Sequence, residues 1–497
     1  MSATSNKDLF NLGHLGTPDA TSNDTWSSGS TYKTGDLRRK YAFGNRVSEL
    51  SIAQDPFFRF VSMVSKKSTD DPSFKFTEKR GSWHKRYAYC VANGATSSLG
   101  TTDGTITAPA VGTTAYLQME TDYMNDGNRQ NVYGQSGRSI VIGASGTQPL
   151  FYLPDQIIKV NLADAAGVSS TAFQAPTDYA LFKIESVDVT TNADAAILGG
   201  KWVRASTKTA LTVPDGTTGD ETYSMNEENK EYGRSYVVGT AHDEGSGYPE
   251  TWKDQPYING FGQTQIWKTT MAMTNTARAT VLKYEPNEWA RVWKEKLIEH
   301  KWDIEQSLLF GTQRDTVGTT TQGAVDFISS YGNVFSLNTS TKTADDFLED
   351  MSAFLDPRYN NANATVFFCD TATFNWLHKL GGFFSNNLNI NSNFSADLAV
   401  TGRKKVLGLD TTNISTVYGD MNVVRNIHLD GSNIKILALN MKHCSYRPLV
   451  GNGLNRDTSV YVGVQTLENS GVDRRVDQIL TEAGMEWQMP EAHAYWS

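Results

Sequence analysis

NEWARVWKEKLIEHKWDIEQSLLFG, residues 287–311, is the stretch on which the reading of the fold turns. Asn287 suits a helix N-cap, because its side-chain oxygen accepts from an orphan backbone N–H. Glu288 sets a negative charge on the first turn, and Gly311 closes the far end. Between them Trp289, Val292, Trp293, Leu297, His300, Ile304 and Leu308 recur at helical spacing. They describe one face of a helix about 36 Å long, at a rise of about 1.5 Å per residue. Ile298, Trp302 and Leu309 form a second, narrower stripe. A helix apolar on two sides must be covered on two sides, by its own domain or by a neighbour. If the Trp293 ring is buried as the stripe implies, truncation to alanine costs about 3–5 kcal/mol.

The same run carries Glu295, Glu299, His300, Asp303 and Glu305. A metal centre on a helix needs ligands converging at i, i+3 or i, i+4. Glu299 and His300 are adjacent, about 100° apart around the axis, and no second histidine is close in sequence. A solvated charged face with one hydrogen-bonded histidine is the expectation, with Lys294, Lys296 and Lys301 as ion-pair partners. No metal site and no cofactor is expected.

Downstream the pattern is mixed. TADDFLEDMSAFLDP (343–357) pairs Thr343 with Asp346 as a capping box and offers Phe347, Leu348, Met351 and Leu355 as a core face. ATVFFCD (364–370) reads as a buried strand, after which Asp370 caps a helix, TATFNWLHKL, ended by Gly381 and Gly382. Late strands follow at NIKILALN (433–440), SVYVGVQTLE (459–468) and GMEWQM (484–489).

Upstream, residues 1–45 are rich in Ser, Thr, Asn, Asp and Gly and end in the basic triplet Arg38, Arg39 and Lys40. This reads as a polar arm, solvated or ordered against a partner. Residues 46–64 turn apolar, with Pro56 interrupting and Phe57, Phe58 and Phe60 following. SFKFTEKR (73–80) alternates as a strand. From about Tyr87 to Asn275 helical signal is almost absent. Ile158, Val160 and Leu162 alternate with Lys159 and Asn161; Phe182 and Ile184 alternate until the phase slips at Ser186, which predicts a bulge. Residues 140–215 read as a small β-barrel or sandwich inserted in an extended excursion.

The bulk numbers exclude several classes. At 497 residues the chain exceeds one ordinary core. Hydrophobic residues at 39% and charged at 20% suit a folded protein. Apolar runs such as VFFC (366–369) and ILAL (436–439) are too short to span a bilayer, so no membrane association is expected. The chain opens without an export-signal pattern, so cytoplasmic synthesis is expected. Three cysteines without CxxC spacing favour neither a disulfide scaffold nor a zinc knuckle. A net charge of −9 argues against general nucleic-acid binding but not against enclosing nucleic acid. No nucleophile or phosphate-binding motif stands in the context it needs. His443-Cys444 lies in a strand-like run where packing explains both, so no catalytic residue and no enzyme is expected. Arg403, Lys404 and Lys405 read as a glycine-flanked surface turn, with contact to nucleic acid or a neighbouring chain as the alternative.

The order of pieces resembles a tailed-bacteriophage major capsid protein with the Hong Kong 97-type fold. DPFFRFVSMV and SFKFTEKR resemble the entry into that family's extended hairpin loop. KEKLIEHKWDIEQSLLFG resembles the second half of its spine helix, and ATVFFCDTATFNWLHKLGG the strand–helix unit of its axial domain. HCSYRPLVGNG and SVYVGVQTLEN resemble the strands completing its peripheral domain. The resemblance implies an α+β fold: N-terminal arm (1–45), start of peripheral domain and extended loop (46–139), inserted β domain (140–215), loop return (216–285), spine helix (286–318), axial domain (319–430) and closing peripheral strands (431–497). The long β-rich block departs from relatives with a shorter loop. The function implied is an icosahedral shell of hexamers and pentamers of this one chain, enclosing double-stranded DNA without reading its sequence and assembled in the host cytoplasm into a virion. Decoration, scaffold and portal proteins are further partners in that reading. Its interface candidates are Trp289, Trp293, Leu297, Trp302, Ile304, Leu308, Arg38, Arg39, Lys40, Arg403, Lys404 and Lys405. The alternatives are an encapsulin-like compartment, a β-rich adhesin or tail-associated protein, and a metalloenzyme using the Glu299–Asp303 neighbourhood.

Overall fold

Pro56 starts a helix rather than interrupting an apolar run. It is the first residue of α1 (Pro56–Val64), a position where proline loses no hydrogen bond and its fixed φ suits the helix. The computed structural model describes residues 55–79, 86–94, 106–121, 140–142, 148–164, 175–191, 195–212, 221–223, 233–250, 257–281, 287–316, 318–355, 360, 365–386, 398–406 and 409–497. The arm and its Arg38, Arg39 and Lys40 lie outside these. Thr276–Arg291 falls in a small separate unit, which holds most of the short α2 (Asn275–Ala279) and the first turn of α3 (Glu288–Phe310). Within it Asn287 accepts from the Ala290 N–H at 3.2 Å, as its capping role predicts.

The helix α3 ends where expected. A Cβ on Gly311 would stand 2.4 Å from the Ser307 carbonyl and 2.9 Å from that of Thr321. Only glycine lets the chain turn this tightly into α4 (Ala324–Tyr331).

The inward side of α3 meets a five-stranded sheet. Its two long strands, β11 (Ile258–Thr274) and β22 (Arg474–Trp487), run antiparallel from Thr264↔Gly484 to Thr274↔Arg474. Trp267, Thr269 and Met271 alternate inward along β11. β1 (Ser73–Glu78) pairs with β11 and buries Phe74 and Phe76, as its alternation predicts. The other edge of β22 is shared. β18 (Cys444–Pro448) takes its C-terminal half and β21 (Ser459–Gln465) its N-terminal half. Between them stands a hairpin of β19 (Val450–Gly451) and β20 (Leu454–Asn455), turned by Asn452 and Gly453, both at positive φ.

A second sheet closes on itself. β2 (Tyr87–Asn93), β3 (Thr114–Glu120), β7 (Ala196–Arg204), β6 (Asp178–Asp188), β5 (Gln156–Ala163) and β10 (Arg234–Thr240) pair in that order, and β10 pairs back to β2. The short β8 (Ala210–Leu211) adds to β5. This is a barrel, filled by Ile158, Val160, Leu162, Phe182, Ile184 and Trp202 among others. The register slips between Ile184 and Ser186, where the broken alternation placed a bulge. The barrel draws strands from positions 87 to 240, beyond the 140–215 expected. β2 hid because six successive residues, Tyr87 to Ala92, are buried, so it carries no alternation to read. A separate two-stranded ladder joins β4 (Ile140–Ile142) to β9 (Glu221–Tyr223).

The third sheet is mixed, in the order β12 (Asn333–Phe335), β23 (Ala494–Trp496), β17 (Ile436–Asn440), β13 (Thr365–Cys369), β16 (Gly419–Arg425), β15 (Leu409–Thr416) and β14 (Leu398–Val406). The strands after 431 therefore do not share one sheet: β17 and β23 join this one, β18, β21 and β22 the five-stranded sheet, and β19 and β20 pair only with each other among the described residues. Helix α5 (Ala344–Phe354) opens with the Thr343/Asp346 capping box. Its Phe347, Met351 and Phe354 pack around Trp496 and Phe367. Asp370 caps α6 (Thr371–Asn386), accepting from the Thr373 N–H at 2.7 Å. That helix runs through Gly381 and Gly382 instead of stopping. A glycine weakens a helix by about 1 kcal/mol but removes no backbone donor. A last helical turn, α7 (Leu467–Ser470), links β21 to β22.

Candidate assembly surface

Burial rises along α3. His300, Ile304, Glu305, Leu308 and Leu309 are fully buried. Ile304 and Leu308 meet α1, α4 and β22 in one core with Phe57, Phe327 and Trp487. The N-terminal half is different. Trp293 and Leu297 are half-buried. Trp293 borders a shallow depression with Thr269, Met271, Lys296, Asp477 and Ile479. The expectation of a buried Trp293 is corrected: this ring stays partly in water in the single chain. Trp289 belongs to the small unit, where the Arg278 guanidinium lies 5.5 Å from its ring centre. Trp302 is half-buried, edge-on to His428 at 4.9 Å.

Two ionisable residues of α3 are not on a solvated face. His300 is held between the Thr269 hydroxyl at Nδ1 (2.9 Å) and the Thr481 hydroxyl at Nε2 (2.8 Å), which ties the helix to both long strands. Burial lowers its pKa to about 4, so the ring is neutral at pH 7. Glu305 stands among surface acids in the sequence, yet its carboxylate accepts from the Phe57 and Phe58 N–H groups at 3.1 and 2.6 Å and from Asn426 Nδ2 at 2.9 Å. Burial pushes its pKa up to about 7, against the pull of those three donors. No local signal marks it, because its partners are 248, 247 and 121 residues away.

β22 carries three more buried carboxylates, each closed by an arginine: Asp477 by Arg475, Glu482 by Arg456, and Glu486 by Arg447. Asp477 also accepts the Gly463 N–H at 2.7 Å, fixing β21 where it leaves register. These are structural ion pairs with every oxygen directed to protein. The cysteines offer no nucleophile. Cys90, Cys369 and Cys444 are buried and free, and burial pushes the Cys444 thiol up to about 12, far from the thiolate that chemistry requires.

The open feature is the edge of β21. Among the described residues it pairs with β22 alone. Val460, Tyr461, Val462 and Val464 are 43, 42, 66 and 45% exposed, and no charge or proline occurs from Ser459 to Thr466. Leu454 of the adjoining hairpin is 65% exposed. Edge strands in soluble monomers are ordinarily blunted by lysine, proline or a cover. The sequence reading identified this strand but not its exposure. Arg403, Lys404 and Lys405 are corrected too: they lie inside β14, opposite Thr412, Thr411 and Asp410 of β15, rather than in a turn. Their glycine neighbour, Gly402, follows a register shift in that ladder.

Solved structures similar to the chain include that of Microbacterium phage Oxtober96, at 14% identity and a TM-score of 0.35, covering 52% of this chain and 80% of that one. The capsid of cyanophage P-SCSP1u matches at 8% identity and 0.35 over the same shares. The SrpI encapsulin complex from Synechococcus elongatus PCC 7942 matches at 10% and 0.34, over 49% of this chain and 77% of that one. No curated protein matches. The family model for the SU10 major capsid protein matches residues 43–496, nearly the whole length, and the chain belongs to that family of structural capsid proteins.

Proposed function

We propose that this capsid protein assembles with copies of itself, as hexamers and pentamers, into an icosahedral shell that encloses phage double-stranded DNA in the virion, after assembly in the host cytoplasm. The observation that carries the self-association is the uncharged, apolar edge of β21, unpaired among the described residues, in a chain of a capsid family. An edge strand lined by exposed Val460, Tyr461, Val462 and Val464 suits a second copy. In this reading the five-stranded sheet with α3 is the peripheral domain and spine helix, and the third sheet with α5 and α6 the axial domain. Trp289, Trp293, Leu297 and Trp302, incompletely buried in one chain, are contacts to adjoining copies. Ile304 and Leu308 support them from within. Arg38, Arg39, Lys40, Arg403, Lys404 and Lys405 face neighbouring chains or enclosed DNA, and the barrel meets neighbours or decoration proteins at the outer surface. The acidic net charge of −9 fits a wall that holds DNA without trapping it. An interface of standard size buries about 1,600 Å², and copy number multiplies such modest contacts into a durable shell.

Light scattering on the purified protein tests this. Megadalton particles with nuclease-protected DNA, formed in the presence of whatever scaffold and portal the phage supplies, are expected. Particles filled with protein cargo instead would favour an encapsulin-like compartment. A chain that stays monomeric under every assembly condition overturns the reading. Val462→Lys should leave the subunit's melting within about 0.5 kcal/mol of wild type while sharply reducing particle yield.

A further inference from the structure

Glu305 is a fully buried carboxylate that forms no ion pair among the described residues. It binds the second and third residues of α1 through their backbone N–H groups. These are orphan donors that a helix normally satisfies with its own N-cap side chain. Here the N-cap, Asp55, makes no capping bond and instead pairs with Arg59 at 2.9 Å. Among the described residues the only side-chain cap on α1 thus comes from α3, and the Asn426 amide steadies it from the end of β16. We propose that Glu305 is a pH-sensitive latch, holding α1 on the long helix α3.

Solvation of the carboxyl differs between the docked and lifted states. With α1 docked, Glu305 is enclosed by Phe57, Phe58 and Asn426, and ionising it leaves a buried charge. With α1 lifted, water reaches the carboxyl and it ionises as an ordinary glutamate does. The docked state therefore binds more protons between the two pKa values, about 4.5 lifted and about 7 docked. Docking is tightest below about pH 4.5, and it weakens about tenfold per pH unit as pH rises toward about 7, beyond which it levels off. The other charged groups around the site have their own settings. Asp55 on α1 raises the Glu305 pKa by its like charge. Arg59 is committed to Asp55. His428, beyond Asn426, bonds Gln306. Cys369, whose carbonyl accepts from Asn426, is held as a neutral thiol by burial. Lys301, one turn earlier on α3, is half-exposed.

Hydrogen exchange on the full-length subunit, corrected for intrinsic rates, reads the latch directly. Protection at Phe57–Val61 should fall about tenfold per unit from about pH 5 to about pH 7, while β13 and β17 serve as the internal standard. Glu305→Gln should abolish that slope. Should it fail to fold, Asn426→Ala retains the carboxyl but removes one donor, and it should move the window to higher pH. A wild-type profile without slope overturns the latch. So does a Glu305→Gln profile as steep as wild type, or an Asn426→Ala profile lowered evenly at all pH values. None of these outcomes depends on whether shells form.

Discussion

His300 and Glu305 lie five positions apart on one helix and pull stability in opposite directions with pH. The folded His300 pKa is about 4, below its ordinary 6.5. Between those values the unfolded chain binds more protons, so stability falls as pH drops from about 6.5 to about 4, by about 3 kcal/mol in all. The folded Glu305 pKa is about 7, above its ordinary 4.5. Its contribution is fully present below about pH 4.5 and is lost, also by about 3 kcal/mol, as pH rises through about 7. The two slopes largely cancel in the wild-type protein. Single variants should expose them: relative to wild type, Glu305→Gln becomes less stable toward acid, and His300→Gln less stable toward neutral pH. Denaturant midpoints across that range check this, and slopes of equal sign would refute it. The histidine was legible in sequence as hydrogen-bonded, since it interrupts an apolar stripe. Glu305 was not, because a buried acid among surface acids is revealed only by partners folded onto it.

At the scale of elements, the same helix is two structures end to end. Leu308 is enclosed by its own chain, so Leu308→Ala should cost the isolated subunit about 2–5 kcal/mol in melting experiments. Trp293 is half-buried, and Trp293→Ala should cost less than about 2 kcal/mol there. If its loss is felt mainly as reduced particle yield, the exposed half of the helix is an intersubunit face. In the barrel, a Cβ on Gly200 would stand 2.0 Å from the Lys183 carbonyl oxygen. Backbone cannot yield as a side chain can, and Gly200→Ala should destabilise the barrel by about 3 kcal/mol. Elements whose signals are local were readable: the caps at Asn287, Thr343 and Asp370, and the bulge at Ser186. β22 was read as starting at Gly484, whereas it starts at Arg474. Its Asp477 and Glu482 look solvent-facing until Arg475 and Arg456 neutralise them inside.

At the scale of the molecule, the Hong Kong 97-type order of pieces was legible because succession survives where residue identity does not. The barrel's limits were not, since its first and last strands are set by pairing between residues about 150 apart (Tyr89↔Arg234). That closure decides how the barrel must be removed. Deleting 140–215 takes β4 to β8 and leaves β3 and β10, on either side of β2, with bare edges, so aggregation is expected. The chain offers a cleaner cut. Glu78 at the end of β1 is paired directly with Ile258 at the start of β11, so everything from 79 to 257 leaves and re-enters at one rung of a ladder. Replacing that segment with Asn-Gly should close a two-residue hairpin of favoured hand. The barrel core and the α3 core are separate clusters, and independent cores contribute additively. The excised protein should therefore stay soluble and unfold within about 1 kcal/mol of wild type when followed through Trp487 and Trp267. Loss of cooperative unfolding in the excised chain, with the 140–215 deletion no worse, would mean that the barrel supports the remainder. Equal melting with particles that disassemble at lower temperature would instead place its contribution in the contacts between copies.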